Sequence, residues 1–282
     1  MSPRLGFGWV LTAVLVLLQG LAPLPLAAAE PSGPTPAPPS RVQAWTAAGS
    51  PKERFDRALV ASQDGRLGDA LALWSEVLEA SPRDAAAWSN RGNVRLMLGD
   101  AEGAIADQTQ AMAIEPDQLD PHLNRGTAEE ALGRWREAEE DYRWILARDP
   151  QEAAALYNLG NVRGSLGDWE AAQACYSAAA ESRPGMAMAR SSAALAAFQL
   201  GDATTAEREL RSLIRRHPLF ADARAALTAV LWQRGARGEA ESHWAAASGL
   251  DPRYRQEEWL LQIRRWPPGA VQALRQFLSL DA

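Results

Sequence analysis

Six prolines, Pro82, Pro116, Pro150, Pro184, Pro218 and Pro252, recur at intervals of 34 residues without a slip. Six glycines keep the same interval, from Gly65 through Gly99, Gly133, Gly167 and Gly201 to Gly235, and so do Ala70, Ala104, Ala138, Ala172, Ala206 and Ala240. Three columns in one register point to one kind of architecture, a stack of helical hairpins. Each column has a physical reason. The glycines follow helical stretches, often as Leu-Gly, where a left-handed cap is open to glycine at low cost. The alanine five residues later lies inside a second helix, where a small side chain lets two helices approach closely. The proline closes the unit by pushing its predecessor out of helical geometry.

Between these marks apolar residues return at three- and four-residue steps, as in Leu71, Trp74, Val77 and Leu78. Such a hairpin cannot bury its apolar stripe alone, so neighbours must stack. The expected fold is therefore all-α, a solenoid of six hairpins at 51–84, 85–118, 119–152, 153–186, 187–220 and 221–254. Residues 255–282 read as a degenerate seventh hairpin that caps the stack, with Trp259, Leu260 and Ile263 on a first helix, Gly269 in register and "AVQALRQFLSL" as a closing helix.

The unit W-x-x-R-G…L-G-D…A…A…P, seen best in Trp88, Gly92, Gly99, Ala104, Ala111 and Pro116, resembles the tetratricopeptide repeat, from Pro51 to Tyr254. Repeats one, five and six depart from it, with Ala58, Ala194 and Thr228 where Gly92 stands. The resemblance implies a right-handed superhelix with a concave groove. More narrowly, the export signal described below, "NRGNVRLMLGD", "DPHLNRGTAEEALGR" and "RRWPP" are similar to exported cyanobacterial and chloroplast thylakoid-lumen proteins of this type. That likeness implies a place across a membrane and no chemistry.

The N-terminus reads as a targeting segment. Arg4 precedes the apolar run Trp9 to Leu18, and Ala27-x-Ala29 offers small residues for cleavage. Residues 1–29 are thus expected to be a signal peptide, with an uncleaved anchor as the alternative, and the proline-rich 30–50 a linker. The expected location is the periplasm or the thylakoid lumen.

Charge and motifs exclude much else. A net charge of −6 without a basic stripe argues against nucleic acid. Cys175 is the only cysteine, and His122, His217 and His243 lack metal-ligand spacing. Phosphate loops, serine elbows and histidine dyads are absent. Cys175 has no histidine or cation at a helical neighbour position, so it reads as an inert thiol. The chain is expected to be no enzyme, with no metal, cofactor or small-molecule substrate.

With repeats numbered from one, positions 4, 7, 8 and 11 of each first helix share the core side, and positions 2, 5, 6, 9 and 13 point away from it. Asn90, Asn124 and Asn158 hold position 6, and Asn93 and Asn161 hold position 9. These amides form a candidate peptide-binding ladder, since each offers a donor and an acceptor to an extended main chain. They could equally bond within and between repeats and fix their packing. A clamp for a C-terminal carboxylate is improbable: Asn93 and Asn124 fit it, but Ser89, Ala154 and Asn158 stand where cations are needed. Phe198, Trp232 and Trp266, all at position 12, are candidate aromatic anchors for a partner, with packing between repeats as the alternative. Near them Ser191, Ser192, Ala225 and Ala226 leave the face shallow.

The expected function is an exported scaffold that binds a protein or peptide segment in its groove. The alternative is an assembly factor that docks a membrane complex, photosynthetic ones included, through its outer face. The first of these readings carries a direct test of export: N-terminal sequencing of the native protein is expected to find Glu30. A membrane-bound species beginning at Met1 or Ser2 would reject cleavage.

Overall fold

The computed structural model describes residues 49–279. The signal expected at 1–29 and nearly all of the 30–50 linker lie outside the described residues. Within them the chain forms fourteen α-helices, two to each repeat. They are α1 (Pro51–Gln63), α2 (Leu67–Ala80), α3 (Ala85–Met97), α4 (Ala101–Ile114), α5 (Leu119–Ala131), α6 (Trp135–Leu146) and α7 (Ala153–Ser165). The second seven are α8 (Trp169–Ser182), α9 (Ala187–Gln199), α10 (Ala203–Arg216), α11 (Ala221–Gln233), α12 (Arg237–Leu250), α13 (Glu257–Gln262) and α14 (Pro268–Leu278).

Each hairpin is punctuated by its own residues. The six period glycines all have positive φ, between 71° and 91°, a region that L side chains enter only at a cost. The aspartate after three of them caps the second helix: Asp100, Asp168 and Asp202 accept from the backbone N–H of Gly103, Ala171 and Thr205 at 2.9–3.1 Å. At the first helix of the array, Ser50 and Glu53 form a reciprocal capping box. The alanine column is buried throughout.

One further column ties the two helices of a hairpin together. Position 24, on the second helix, carries Trp74, Gln108, Tyr142 and Tyr176, and each reaches a polar group on the first helix. Trp74 Nε1 donates to Ser62 Oγ (2.9 Å), Gln108 Nε2 to Asn93 Oδ1 (3.1 Å), Tyr142 OH to Glu130 Oε1 (2.5 Å) and Tyr176 OH to Asn161 Oδ1 (3.0 Å). Buried tips of this kind need partners, because an unsatisfied polar group costs about 1–3 kcal/mol.

The chain divides into two compact units at Ala128/Glu129, inside α5. In the first, Trp74 is buried among Ala58, Ala61, Ala87 and Val94, with Phe55 edge-on at 4.8 Å. The second has the larger core, in which Leu195, Leu210, Leu227, Leu231 and Trp244 meet Leu274 and Phe277 of α14.

The closing segment departs from the expected seventh hairpin. Its first helix, α13, has six residues, and Ile263 lies beyond its end and is exposed. Gly269 does not end a helix but lies in the first turn of α14. The cause is "WPPG", which stands where the second repeat has "LMLG". Each proline disfavours helix at the residue before it, while Pro268 suits the first turn of the next helix. Residues 263–267 are left outside any helix.

Two substitutions test the packing of α7 on α8. A Cβ at Gly160 would lie 2.6 Å from Tyr176 Cε1, a ring already buried, and Ala172 has no room for a larger side chain. Gly160→Ala and Ala172→Leu are each expected to cost about 1–3 kcal/mol by overpacking. Urea unfolding of the purified variants measures this, and unchanged midpoints would mean that the two helices do not meet there.

Candidate functional site

In the first unit, α3 and the start of α5 enclose a recess of about 250 Å³. Ser89, Asn90 and Asn93 line it from α3, Asn124 from α5, and Gln118, Glu115 and Asp120 from the rim. The lining contains amides, a hydroxyl and two carboxylates, and no lysine or arginine. Its geometry is fixed from behind. Asn124 Nδ2 donates to Ser89 Oγ (3.3 Å), and Gln108 Nε2 bonds both Ser89 O (2.9 Å) and Asn93 Oδ1 (3.1 Å). Arg91 grips buried Asp107 through two bonds of 2.7 and 2.8 Å, and Arg95 adds a third at 3.1 Å. Asn90 bonds only its own helix, Nδ2 to Ala86 O at 2.9 Å, and is partly exposed. The volume falls below the roughly 300–1,000 Å³ of small-molecule pockets, which suits one residue or a short stretch of polypeptide better than a metabolite.

The second unit has a corresponding inner face, on α7, α9 and α11, and residues 264–269 cross it. Arg264 and Asp222 form an ion pair at 2.6 Å with side chains 2% and 0% exposed. Asp222 also accepts from Ser191 Oγ (2.5 Å), Tyr254 OH (2.9 Å) and Trp266 Nε1 (3.1 Å). Arg264 Nη2, which also bonds Asp222, meets Met188 Sδ. Arg265 bonds Ser165 Oγ (3.0 Å), lies 3.5 Å from Glu130 Oε2 and covers the Trp135 ring at 4.7 Å. Among the described residues it is the non-glycine residue with positive φ, +52°. Gly269 N donates to Gln199 Oε1 at 2.8 Å. Burial works against the charge of Arg264, yet Asp222, Tyr254 and Tyr157 together more than offset it and its pKa lies well above the ordinary arginine value. Burial and the Asp222 charge push the Tyr254 hydroxyl up as well.

The structure brings together only part of the expected amide ladder. Asn90, Asn93 and Asn124 share the recess. Asn158 is buried, Asn161 accepts from the Tyr176 hydroxyl through its oxygen, and neither lines the recess. The aromatic anchors are a correction. Phe198 and Trp266 are buried, and Trp232 packs edge-on against Phe277 at 5.8 Å. Position 12 is the same column as Ser62 and Glu130, which faces position 24 across the hairpin, so its large residues become core. Trp266 is not on a helix at all. Cys175 is half-buried, and burial pushes its thiol pKa up, consistent with an inert group.

Asp222, Gln199, Arg264 and Arg265 stand outside the site residues expected from sequence, and Ser191 enters there only as a small residue. Two signals stood there: Asp222 is a carboxylate on an otherwise alanine-rich helix, and Ser191, Ala225 and Ala226 make the face shallow enough to admit another segment. Among the described residues no group of three or more His, Cys, Asp or Glu could hold a metal ion.

The tetratricopeptide repeat family model matches residues 55–119, 123–163 and 157–218, more than half of the chain. The chain belongs to the tetratricopeptide repeat family. No curated protein matches it in sequence. Among solved structures it is similar to the anaphase-promoting complex hetero-tetramer Cut9–Hcn1, with TM-score 0.66 and 17% identity over 81% of this chain and 43% of that one. A tetratricopeptide protein from Parabacteroides merdae gives TM-score 0.59 and 16% identity over 81% of this chain and 98% of that one. YrrB, described as having an unusual peptide-binding site, gives 0.51 and 18% over 68% and 97%. The fold is that of a protein–protein interaction scaffold.

Glu130 is expected to make the second unit sensitive to pH. Burial raises its pKa above 4.5, against the pull of Arg265 and the Tyr142 hydroxyl. With a raised folded pKa, the folded state holds the proton more tightly, so this group's contribution is complete below about 4.5 and lost as pH rises through the folded value. Relative to Glu130→Gln, the wild type is therefore expected to lose stability between pH 4.5 and pH 7. Parallel urea titrations at both values check the sign, and a constant difference would place Glu130 in water.

Proposed function

We propose that this chain is an exported scaffold that holds an extended, basic segment of a partner protein in the recess between α3 and α5. One observation carries the reading: three asparagines, a glutamine and a serine converge on that recess beside Glu115 and Asp120, with no cation in the lining. Amides pair with both donors and acceptors of a peptide main chain, and the carboxylates favour lysine or arginine on it. The concave faces of such repeats are where partners usually lie. YrrB, of similar fold, is described as having a peptide-binding site, though an unusual one. Export rests on the N-terminal apolar run and the Ala27-x-Ala29 signal.

Docking of a membrane complex through the outer surface is the second reading, and it has an observation of its own. Leu132, Leu166 and Leu200, 34 residues apart, stand 40%, 47% and 39% exposed at the turns between paired helices of the second unit. Exposed apolar residues at repeat spacing suit a contact along an edge.

A photo-cross-linking residue placed at position 90 or at position 166, in the full chain within its native extract, separates the two. Adducts from position 90 are expected. Asn90→Ala, which removes a partly exposed amide, should leave thermal unfolding unchanged and weaken the captured partner by about two- to twelve-fold, one hydrogen bond's worth. Adducts from position 166 alone, with Asn90→Ala binding normally, would remove the recess from the function.

A further inference from the structure

The crossing of the second unit's inner face by residues 264–269 has the chemistry of a bound peptide. The receptor atoms come from inward positions that repeat every 34 residues: Met188 and Asp222 at position 2, Ser165 and Gln199 at position 13. They take, in order along the segment, a buried arginine, a second arginine stacked on Trp135, an indole N–H and a main-chain N–H. Each is a contact that a separate chain could make equally well.

Capping of the terminal core accounts for the burial of the Trp266 ring but not for these polar contacts. That task falls to α14, whose Ala270, Val271, Leu274 and Phe277 are buried against the α11–α12 core. A cap has no need of a carboxylate placed in the interior to receive four donors, nor of an arginine held at φ +52°. The left-handed Arg265 is held by the contacts of its side chain with Ser165, Glu130 and Trp135.

We infer that the inner face of α7, α9 and α11 is a binding site for an Arg-Arg-Trp segment, and that residues 264–269 are its resident ligand in cis. The external ligand of the same class is a peptide in which an arginine precedes a tryptophan by two residues. It gains the face only when the resident segment yields. The site lies in the other unit from the recess between α3 and α5, and stands or falls independently of it.

The probe is a fluorescein-labelled peptide with the sequence of residues 262–271, QIRRWPPGAV. It is titrated into the full chain and into a full-chain variant carrying Arg264→Ala, Arg265→Ala and Trp266→Ala, which removes the resident side chains and keeps Asp222, Ser165 and Trp135 in the sequence. The variant is expected to bind the probe at least about ten-fold more tightly than the wild type, whose site is already taken. A probe with both arginines and the tryptophan replaced by alanine should not bind, and adding Asp222→Asn to the variant should abolish the gain. Should the triple variant lose its helices, Arg265→Ala decides the matter. It leaves the buried Arg264–Asp222 pair in place and is expected to show the same ordering with a gain of about three-fold. A folded variant that binds no probe, or a wild type that binds it as well as the variants do, overturns the proposal.

Discussion

The constraint on which everything else rests is the close approach of two helices in each hairpin. A helix pair of about 30 residues has too little interior to stand alone, so its stability depends on neighbours stacked on both sides. That stacking requires every hairpin to present the same shape. The buried alanines from Ala70 to Ala240 set the distance between paired helices, and the left-handed glycines from Gly65 to Gly235 set the turn. Gly160 shows how tight the result is, since its neighbour across the gap is the face of a tyrosine ring. Once the repeats are superposable, positions 2, 5, 6, 9 and 13 fall into rows, and a row of side chains is what an extended segment can read.

The same geometry explains why so many polar groups lie inside. Position 24 brings a ring or an amide tip against the first helix, and the residue at position 9 or 12 is chosen to answer it. Ser62 answers an indole, Asn93 an amide, and Glu130 and Asn161 phenols. Where position 24 is Leu210, position 12 is the apolar Phe198. Two of the asparagines that recur in the repeats are thus explained by their own hairpins. Asn90 and Asn124, at position 6, point to the recess instead.

This divides what the sequence could show from what it could not. The all-α fold, the helix pairs and the inward positions were legible because each follows from a local rule repeated six times. The occupant of the inward face was not. Arg264 meets Asp222 across 42 residues and Arg265 meets Ser165 across 100, and neither pairing leaves any periodic trace. The break in the pattern was visible at "RRWPP", yet a break alone does not say where the freed segment goes. Trp266 kept the spacing of Phe198 and Trp232 while leaving the helix, so a column that was continuous in sequence came apart in space.

A buried carboxylate also limits how such a face can operate. Removing one partner of a desolvated ion pair costs about 3–5 kcal/mol, because the other charge is left without compensation. Asp222 without Arg264 would retain only the hydroxyls of Ser191 and Tyr254 and the Trp266 indole, and without the whole segment only the hydroxyls. On the proposal of a resident ligand, the face therefore does not stand empty; it exchanges one arginine for another. A tethered segment acts at an effective concentration of about millimolar, so an external peptide with identical contacts must reach that level or bring additional ones. The partners that can displace residues 264–269 are then those that already touch the protein elsewhere. Competition of this kind rewards proximity over affinity, which is the behaviour required of a scaffold that must ignore stray peptides and respond to an assembled neighbour.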